Sequence, residues 1–368
     1  MKYYIIAGEA SGDLHGSNLI KGLKAADRDS DIRVWGGELM QNAGGELVHH
    51  YKEGAVMGVT DVLGKGFKLL GNLSECKKDI TAWNPDVVIL IDYPGFNFKI
   101  ARFAHKKGIK VFYYIAPKTW ASRERRNRKL KKYVDRLFII FPFEKKYFSS
   151  RGIQYVYKGN PLIDAIDNHE YRKPADYNYV AVLAGSRKGE ISRMMPVCMK
   201  VADMMPDRKF IIAGAPSRDE KDYAKYIAGR KNVSLMFDRT YDILKYADAA
   251  IINSGTASLE AALIGTPQVV CWSSSAITVF IADKILKVLD NIRFISLGNL
   301  IMDKFVFQEL LQQYFNPENV REELEKLLTD EGYRLEMKLD YNQIRIELGG
   351  SGASEAIARS MIEELRQR

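Results

Sequence analysis

Cysteine is scarce in this chain of 368 residues, which contains only Cys76, Cys198 and Cys271. An odd number of widely separated cysteines matches neither a disulfide framework nor a zinc knuckle, so we interpret them as reduced thiols in or near cores. The longest apolar runs, such as 87–91 and 137–141, fall far short of the roughly 20 residues that span a bilayer. The first residues lack the apolar core and small-residue cleavage site of a secretory signal. These absences predict a cytoplasmic protein without a transmembrane segment.

The composition is ordinary except for an excess of positive charge. Hydrophobic residues make up 46% and charged residues 27%, as in soluble globular proteins, and the length suits two domains. Lys and Arg total 55 against 46 Asp and Glu, a net charge of +9 that favours a phosphate-bearing partner. Much of the excess lies in 123–132, which is either a solvated helix face or an anion-binding surface.

Short β-branched and aromatic runs alternate with amphipathic helical stretches along the whole chain, which predicts right-handed crossovers and parallel sheets. The predicted strands are 3–7, 32–35, 87–91, 111–115, 137–141 and 155–157, followed by 179–183, 209–213, 233–237, 249–252, 268–272 and 294–297. Six strands in each half predict an α/β fold of two doubly wound, Rossmann-like domains facing a cleft.

The predicted domains are 1–170 and 171–345, because a polar segment containing Pro174 separates the two series of strands. Residues 317–368 look helical except for a glycine-rich break at 348–354. The last helix, within 346–368, is expected to pack back on the first domain or on a partner subunit. The chain is therefore predicted to be a monomer or a domain-exchanged homodimer.

The first strand leads into GEASGDLHG at 8–16, and a helix is expected from about residue 17. Glycines let the backbone approach a ligand, and a helix start offers free N–H groups to an anion. The alternative is a tight turn capped by Ser11 or Asp13. The segment is neither GxGxxG nor a P-loop, so NAD and ATP are not predicted. The candidate binding residues are Gly8, Glu9, Ser11, Gly12 and Asp13.

Asp92 follows the third predicted strand, in IDYPGFN, and should lie at the carboxyl edge of the first sheet. A carboxylate there could accept the proton of an attacking hydroxyl group, so Asp92 is the candidate general base. The alternative is a carboxylate that caps the next helix or the turn at Pro94.

Two segments of the second half follow strands and point to a diphosphate. Backbone N–H groups that form a nest, together with an arginine side chain, can bind a diphosphate. The start of a helix can also bind a phosphate, and a carboxylate one turn further along that helix can accept hydrogen bonds from ribose hydroxyls. The alternatives are a surface arginine and an ordinary capped core helix. The candidates are Gly185, Ser186 and Arg187 in the first segment, with Asn253, Ser254, Gly255, Thr256 and Glu260 in the second.

No metal site or cofactor is predicted. The sequence contains a DxD motif at Asp27 and Asp29, but it lies between the first helix and the second strand, away from strand carboxyl ends. His49 and His50 have no cysteine or carboxylate at ligand spacing, so we interpret them as ordinary histidines.

Seven segments in order resemble the signature blocks of the lipid-A-disaccharide synthase family: GEASGDLHG, AVMGVTDVL, PDVVILIDYPGFN, YVDRLFIIFPFEKKYF, GNPLID, AGSRKGEI and NSGTASLEAALIGTPQVV. The resemblance implies the glycosyltransferase-B architecture. It also implies transfer from UDP-2,3-diacylglucosamine to 2,3-diacylglucosamine 1-phosphate (lipid X) in a β-1,6 linkage, with no required metal.

The same resemblance implies an essential role for Asp92 in the acceptor half, and donor-nucleotide contacts for the candidates of the second half. Two segments depart from the family pattern. The stretch at 116–123 reads APKTWASR where the family has a segment rich in aromatic residues, and 297–300 reads LGNL. The acceptor contacts near the first of these segments are therefore open.

Lipid substrates imply work at a membrane surface, where polybasic segments gain about 1 kcal/mol per residue near anionic lipid. The run 123–132, with Arg125 and Arg126, is the candidate docking patch on the inner face of the inner membrane. The candidate acyl-contact residues are Val62, Leu63, Phe67 and Leu70, and a second apolar stretch at 277–289 is either similar or an ordinary core helix.

The sequence leaves three alternative hypotheses for the function. The same architecture serves UDP-N-acetylglucosamine 2-epimerases and other glycosyltransferases, although an epimerase leaves the apolar and polybasic segments without a purpose. A two-lobed sugar-binding protein would need an export signal. Nucleic-acid binding is favoured by charge alone, because basic and stacking aromatic residues are not interleaved, and no nucleic-acid partner is predicted.

Overall fold

The computed structural model describes residues 1–54, 62–120, 124–273 and 293–367. They form two compact units, one of Met1–Ala165 with Leu348–Arg368 and the other of Ile166–Glu347. Each unit is a parallel β-sheet covered by helices, so the predicted α/β fold class is confirmed. Residues 166–170, assigned to the first domain by sequence, fall in the second unit.

Up to residue 167 the strands are β1 Lys2–Ala7, β2 Asp31–Gly36, β3 Glu46–His50, β4 Val87–Ile91, β5 Lys110–Tyr114, β6 Arg136–Ile139 and β7 Tyr155–Tyr157. The helices are α1 Ala10–Ala26, α2 Glu38–Asn42, α3 Tyr51–Gly54, α4 Val62–Trp83, α5 Pro94–Lys106, α6 Asn127–Tyr133, α7 Pro142–Ser149 and α8 Pro161–Asp167, with a 3-10 turn at Glu124–Arg126.

Further along the chain the strands are β8 Tyr179–Leu183, β9 Lys209–Gly214, β10 Val233–Phe237, β11 Ala249–Asn253, β12 Gln268–Trp272 and β13 Glu309–Leu311. The helices are α9 Lys188–Met204, α10 Ala224–Ile227, α11 Thr240–Tyr246, α12 Thr256–Ile264, α13 Leu297–Met302, α14 Pro317–Thr329, α15 Glu331–Glu347 and α16 Ala353–Arg366, with 3-10 turns at Glu220–Asp222 and Gln312–Tyr314.

Within the described ranges, the first sheet has the order β3-β2-β1-β4-β5-β6-β7 and the second β10-β9-β8-β11-β12-β13. In both sheets the order reverses direction beside the first strand, where β1 pairs with β4 and β8 pairs with β11. Ligands of open α/β sheets bind outside the carboxyl ends of the strands at such a switch point. In each unit, the loops after these strands are therefore the candidate binding segments.

Strand β3 is absent from the sequence prediction, which has six strands in the first half where the structure has seven. It is an edge strand that pairs with β2 on one side, and its residues are half-buried or exposed. His49 stacks on Trp35 with ring centroids 4.2 Å apart. A strand of this kind needs no continuous apolar run, so the sequence carries only a weak signal for it.

The strand predicted at 294–297 is wrong. The backbone N–H groups of Ile295 and Ser296 donate to the Glu309 carboxylate, each at 3.0 Å, and helix α13 begins at Leu297. The last strand of the sheet is instead β13, which pairs with β12. The N–H groups of Ile295 and Ser296 thus donate to the buried Glu309 carboxylate, as they would to the carbonyls of a neighbouring strand in a sheet.

The predicted start of the first helix is also wrong. Helix α1 begins at Ala10, so Gly12, Asp13 and Gly16 lie inside a helix rather than in a loop. Gly12 and Gly16 are buried, and a methyl group at Gly12 would lie 3.1 Å from Cβ of Ala7. These glycines allow α1 to pack closely against Ala7 and Met40. Because glycine is also common in turns, the sequence suggests a turn here.

Helix α16 packs against α1 of the same chain, within the first unit. A methyl group at Gly22 would lie 2.9 Å from Cβ of Ala358 and 3.2 Å from Cα of Glu355, so the two helices are in close contact there. The start of α16 is held by Asp164, whose carboxylate accepts hydrogen bonds from the N–H groups of Gly352 and Ser354. The end of the chain is thus integrated into the first unit.

We predict that Gly22→Leu destabilises the protein, because the added side chain separates α1 from α16. Overpacking of this kind costs about 1 to 3 kcal/mol. Gly71→Leu is the matched control, since Gly71 lies in helix α4 with open space around its Cα. Both variants gain the same helix propensity, so a lower unfolding free energy for Gly22→Leu alone measures the packing. Equal stability of the two variants contradicts the prediction.

Among the residues that the structure describes, none of the helices is both long enough and apolar enough to cross a membrane.

Candidate active site

Asp92 lies directly after β4, at the carboxyl edge of the first sheet as the sequence predicts. Its N–H group donates to the carbonyl of Tyr114, 3.2 Å away, and its own carbonyl accepts from Asn97 Nδ2 at 2.8 Å and from the Tyr113 hydroxyl at 2.6 Å. The backbone of Asp92 is therefore held by β5 and by the first turn of α5.

The loop after β1 borders Asp92. Gly8 has no side chain to obstruct Tyr93, and a methyl group there would overlap the Tyr93 ring. Burial raises the pKa of both Asp92 and Tyr93, and the negative charge of Glu9, the residue after Gly8, adds to that rise. The structure thus brings the loop after β1 together with the turn at Asp92 and Tyr93.

Burial raises the pKa of Asp92 above its ordinary value. The positive charges of Lys118 and Arg126 oppose this effect and Glu9 reinforces it. A carboxylate with a raised pKa is a stronger base than an ordinary carboxylate. Lys118 lies in the loop after β5 and Arg126 in the 3-10 turn before α6, so the electrostatic environment of Asp92 comes from separate loops.

Asp13 has a structural role in this unit. It is buried, and its carboxylate accepts hydrogen bonds from the N–H groups of Gly37, Leu39 and Met40 at 2.8 to 3.1 Å. These bonds cap the start of α2. Of the predicted binding residues in GEASGDLHG, Gly12 and Asp13 are buried in packing, whereas Glu9 and Ser11 are exposed and Gly8 is half-buried.

In the second unit, Gly185 follows β8 and Asn253 ends β11, the strand beside it. Gly185 has φ +96°, and a methyl group there would lie 2.7 Å from Asn253 Nδ2 and 2.5 Å from Glu190 Oε2. Only glycine suits both the left-handed backbone and the crowding. The two predicted donor segments therefore meet at the carboxyl edge of the second sheet.

The backbone nest at Ser186 and Arg187 already holds an anion, the side chain of Glu190. Glu190 Oε2 accepts from the N–H groups of Ser186 at 3.0 Å and Arg187 at 3.2 Å. Arg187 Nη1 lies 3.1 Å from Glu190 Oε1, yet 70% of the Arg187 side chain is exposed. The nest itself is thus occupied, and the exposed guanidinium is the group that faces solvent beside it.

Helix α12 begins at Thr256 after the turn at Ser254 and Gly255. The N-cap residue, Gly255, has no side chain to cap this helix start, and the Ser258 N–H donates to the Gly255 carbonyl at 3.3 Å. A helix start of this kind suits an anion at its outermost N–H groups. One turn further on, Glu260 Oε1 accepts a hydrogen bond of 3.1 Å from the Tyr241 hydroxyl. Burial raises the pKa of Glu260 to about 7, and the Tyr241 hydrogen bond opposes that rise.

Glu309 is a residue that the sequence interpretation does not identify. Its buried carboxylate accepts hydrogen bonds from the backbone of Ile295 and Ser296, from the Ser296 hydroxyl and from Asn299 Nδ2. The Ser254 hydroxyl in turn lies 3.4 Å from the carbonyl of Ile295. Glu309 therefore holds the segment that contacts the turn before α12. Its sequence signal is weak because its partners lie ten or more positions away.

A family model for lipid-A-disaccharide synthetase matches residues 3–361. The chain belongs to this family. It is accordingly an enzyme of lipid A disaccharide synthesis, a glycosyltransferase. The chain is similar to the lipid-A-disaccharide synthase of Syntrophus aciditrophicus, with 37% identity over 96% of this chain and 95% of that protein. For the enzyme of Trichlorobacter lovleyi the identity is 33%, over 99% and 97%.

Among solved structures, the fold is similar to that of the UDP-GlcNAc 2-epimerase from Neisseria meningitidis, which was determined bound to UDP-GlcNAc. The TM-score is 0.68 over 99% of this chain and 100% of that one, at 14% identity. At this identity the likeness concerns the fold alone.

The residues predicted to contact membrane or acyl chains belong to two segments. Leu70 lies in α4 and is 59% exposed, whereas the side chains of Val62, Leu63 and Phe67 lie outside the described set, as does the stretch 277–289. Arg125 lines a surface cavity of about 380 Å³. The cavity is bordered by Glu124, Arg125, Asn127, Arg128, Lys131 and Arg151.

The histidines at 49 and 50 have carboxylate neighbours that the interpretation of the sequence missed, and one of them, Glu53, is only four positions from His49. His50 Nε2 lies 3.0 Å from Glu38, and His49 Nδ1 lies 3.7 Å from Glu53. Even so, the described ranges contain no group of three or more His, Cys, Asp or Glu side chains arranged to hold a metal ion. The Asp27 carboxylate of the DxD motif accepts a hydrogen bond from the Tyr3 hydroxyl at 2.9 Å.

We predict that Glu260→Gln changes how stability depends on pH. A glutamate in an unfolded chain has a pKa of about 4.3, whereas in the folded protein the pKa of Glu260 is about 7 because the side chain is buried. Between these values the folded state binds the extra proton, so this residue makes stability fall as the pH rises. Gln removes the ionisation and keeps an oxygen for Tyr241.

The measurement is thermal unfolding at pH 5 and pH 8. At pH 8 the Gln variant should melt about 3 °C or more above the parent, with a smaller difference at pH 5. Glu220→Gln, an exposed carboxylate in the same unit, is the control and should not alter the pH dependence. A Glu260→Gln variant that is equally destabilised at both values would show that Glu260 does not titrate in this range.

Proposed function

We propose that this chain transfers the diacylglucosamine group of UDP-2,3-diacylglucosamine to the 6-hydroxyl of lipid X, with inversion at the anomeric carbon. The observation that carries the proposal is Asp92, a carboxylate with a raised pKa at the carboxyl end of β4, in a member of the lipid-A-disaccharide synthetase family. A base is needed because an alcohol is a poor nucleophile until its proton is removed.

In the proposed step, the Asp92 carboxylate accepts the proton of the acceptor hydroxyl. At the same time the oxygen of that hydroxyl forms a bond to the anomeric carbon of the donor. The bond from that carbon to UDP breaks on the opposite face, and the electron pair leaves with the diphosphate. The α-linked donor then gives a β-linked product. Atoms and charge balance, because the proton stays on Asp92 and the negative charge departs on UDP.

We assign the donor to the second unit. The exposed Arg187 guanidinium and the uncapped start of α12, with Asn253, Ser254 and Thr256, would stabilise the charge on the leaving diphosphate. Glu260, four residues into α12, would accept the ribose hydroxyls. Because Glu190 fills the nest at Ser186, we attribute diphosphate contact to the Arg187 side chain rather than to the backbone there.

The test is release of UDP from UDP-2,3-diacylglucosamine with and without lipid X, in EDTA. We expect release that depends on lipid X. Asp92→Asn should lower turnover about 1,000-fold or more while the affinity for UDP, measured by calorimetry, stays within about twofold. Asp29→Asn, an exposed carboxylate of the first unit, is the control and should behave like the parent.

Three outcomes would contradict parts of this proposal. Full turnover in Asp92→Asn removes Asp92 as the base. No UDP release with either lipid, together with epimerisation of UDP-N-acetylglucosamine, assigns the epimerase reaction instead. Turnover that EDTA abolishes and Mg²⁺ restores shows that a metal ion shares the stabilisation of the leaving group.

We also propose that the enzyme works at the inner face of the inner membrane, bound peripherally through the basic cavity. Arg125, Arg128 and Lys131 are exposed on one side of the 3-10 turn and α6, and Arg151 is held against Tyr147, 3.9 Å from the ring centroid. The only carboxylate bordering the cavity within the described ranges is Glu124, which pairs with Arg151 at 2.6 Å. The remaining positive charge suits lipid phosphates.

We predict that replacing Arg125, Arg128 and Lys131 together by Ala weakens binding to vesicles containing anionic phospholipid about tenfold or more, because three charges near the lipid surface are lost. The matched control replaces Lys221, Lys225 and Lys231, three exposed lysines of the second unit, with the same loss of net charge. Cosedimentation with vesicles at two salt concentrations measures both. Equal weakening by the two triple variants would show that net charge, rather than the cavity, determines binding.

A further inference from the structure

The turn after β4 holds two consecutive residues in a left-handed backbone conformation. Asp92 has φ 41° and Tyr93 has φ 43°, and neither is glycine. Side chains of L-residues crowd the backbone in this region, so neighbouring contacts must hold the turn. The strained pair includes the carboxylate that is proposed to act as the base.

Two buried donors from two different elements converge on the carbonyl oxygen of Asp92. The Tyr113 hydroxyl, from β5, donates at 2.6 Å, and Asn97 Nδ2, from the first turn of α5, donates at 2.8 Å. The same amide nitrogen lies 3.2 Å from the carbonyl oxygen of Ile91. Both side chains are fully buried, with 0% exposure. The carbonyl of Asp92 is therefore fixed from two directions by buried donors.

The oxygen of the Asn97 side-chain amide indicates that this residue serves as a hydrogen-bond donor. Within the described residues, Asn97 Oδ1 is buried and has no hydrogen-bond partner. The amide cannot be reversed to satisfy it, because the carbonyls of Ile91 and Asp92 only accept hydrogen bonds. A buried oxygen without a partner destabilises a fold. The packing of a small apolar residue would avoid that cost, but it would leave the Asp92 carbonyl with one donor fewer.

We propose that Asn97 and Tyr113 are positioning residues that hold the Asp92 backbone in its left-handed conformation and so aim the carboxylate at the acceptor hydroxyl. This inference rests on the proposed role of Asp92. Without the two donors the turn relaxes toward negative φ, which rotates the Cα–Cβ bond of Asp92 and moves the carboxylate. Proton transfer requires hydrogen-bond distance, so a shift of about 1 Å lowers turnover strongly.

The variants are Tyr113→Phe, which removes one hydroxyl oxygen, and Asn97→Ala, which removes both amide atoms. Tyr114→Phe is the matched control. Tyr114 is the next residue of β5 and is equally buried, and among the described residues its hydroxyl has no hydrogen-bond partner. Its backbone carbonyl accepts a hydrogen bond from the Asp92 N–H group, and that bond survives the substitution.

We expect kcat to fall about tenfold in Tyr113→Phe and about 100-fold in Asn97→Ala, with KM for the donor within about twofold of the parent and Tyr114→Phe unchanged. Thermal unfolding of each variant verifies folding. If Asn97→Ala does not fold, Tyr113→Phe against Tyr114→Phe decides the question alone, because that pair changes only one buried oxygen in each protein.

Two further measurements separate positioning from a general structural role. In an Asp92→Asn background, Tyr113→Phe should have no additional effect on the residual turnover, whereas a structural defect would lower it again. A carboxylate released from its buried position should also have a lower pKa, so the acidic limb of the kcat profile should move to lower pH. Glu9, Lys118 and Arg126, the charged groups that face Asp92, are unchanged in these variants.

Wild-type kcat in Tyr113→Phe, or equal losses in Tyr113→Phe and Tyr114→Phe, overturns the inference. If Asp92→Asn is inactive at the same time, the proposed base stands and only its positioning is wrong. If Asp92→Asn retains full turnover, the proposed function of Asp92 fails first, and a loss in Tyr113→Phe then has another cause.

Discussion

Parallel pairing of β1 with β4, and of β8 with β11, is the constraint on which the candidate site depends. Because all strands of each sheet run the same way, the loops after these strands emerge at one edge. This brings the loop after β1 beside Asp92 and Tyr93 in the first unit, although more than 80 positions separate them. In the second unit it brings Gly185 against Asn253. Within each loop, contacts between residues close in sequence then set the local backbone conformation.

Burial of carboxylates at these edges gives the units their chemical character. Asp92 and Glu260 both have a raised pKa because packing removes water from them. Glu144, at the start of α7, shows the structural version of the same effect. It accepts hydrogen bonds from the N–H groups of Ile140 and Phe141, and burial raises its pKa to about 7. Desolvation alone therefore does not mark a catalytic group. Asp92 differs from Glu144 in its strained turn and in the charges of both signs around it, and these features support the proposed role of Asp92.

Carboxylates that bind backbone N–H groups also explain where the structure differs from what the sequence suggests. Glu309 takes the backbone N–H groups of 295 and 296, so an apolar run that resembles a strand forms none. Asp13 caps α2 across 24 residues, so a carboxylate in a glycine-rich segment that resembles a binding loop is a packing element. Glu190 fills a nest that looks empty in sequence. In each case the partner is a backbone group, which carries no signal in the sequence.

The sequence by itself determined the fold class, most strands and the family, because hydrophobic periodicity and motif order are local or linear properties. It also predicted that Asp92, Arg187 and Glu260 follow strands at the carboxyl edges of the sheets, since residues after strands of a parallel sheet collect at one edge whatever the details of packing. Only the tertiary structure decided that edge strand β3 exists, that α16 packs on α1, and that Asn97 and Tyr113 meet at the Asp92 carbonyl. These depend on distances between side chains and backbone groups far apart in the chain, which spacing along the sequence does not encode.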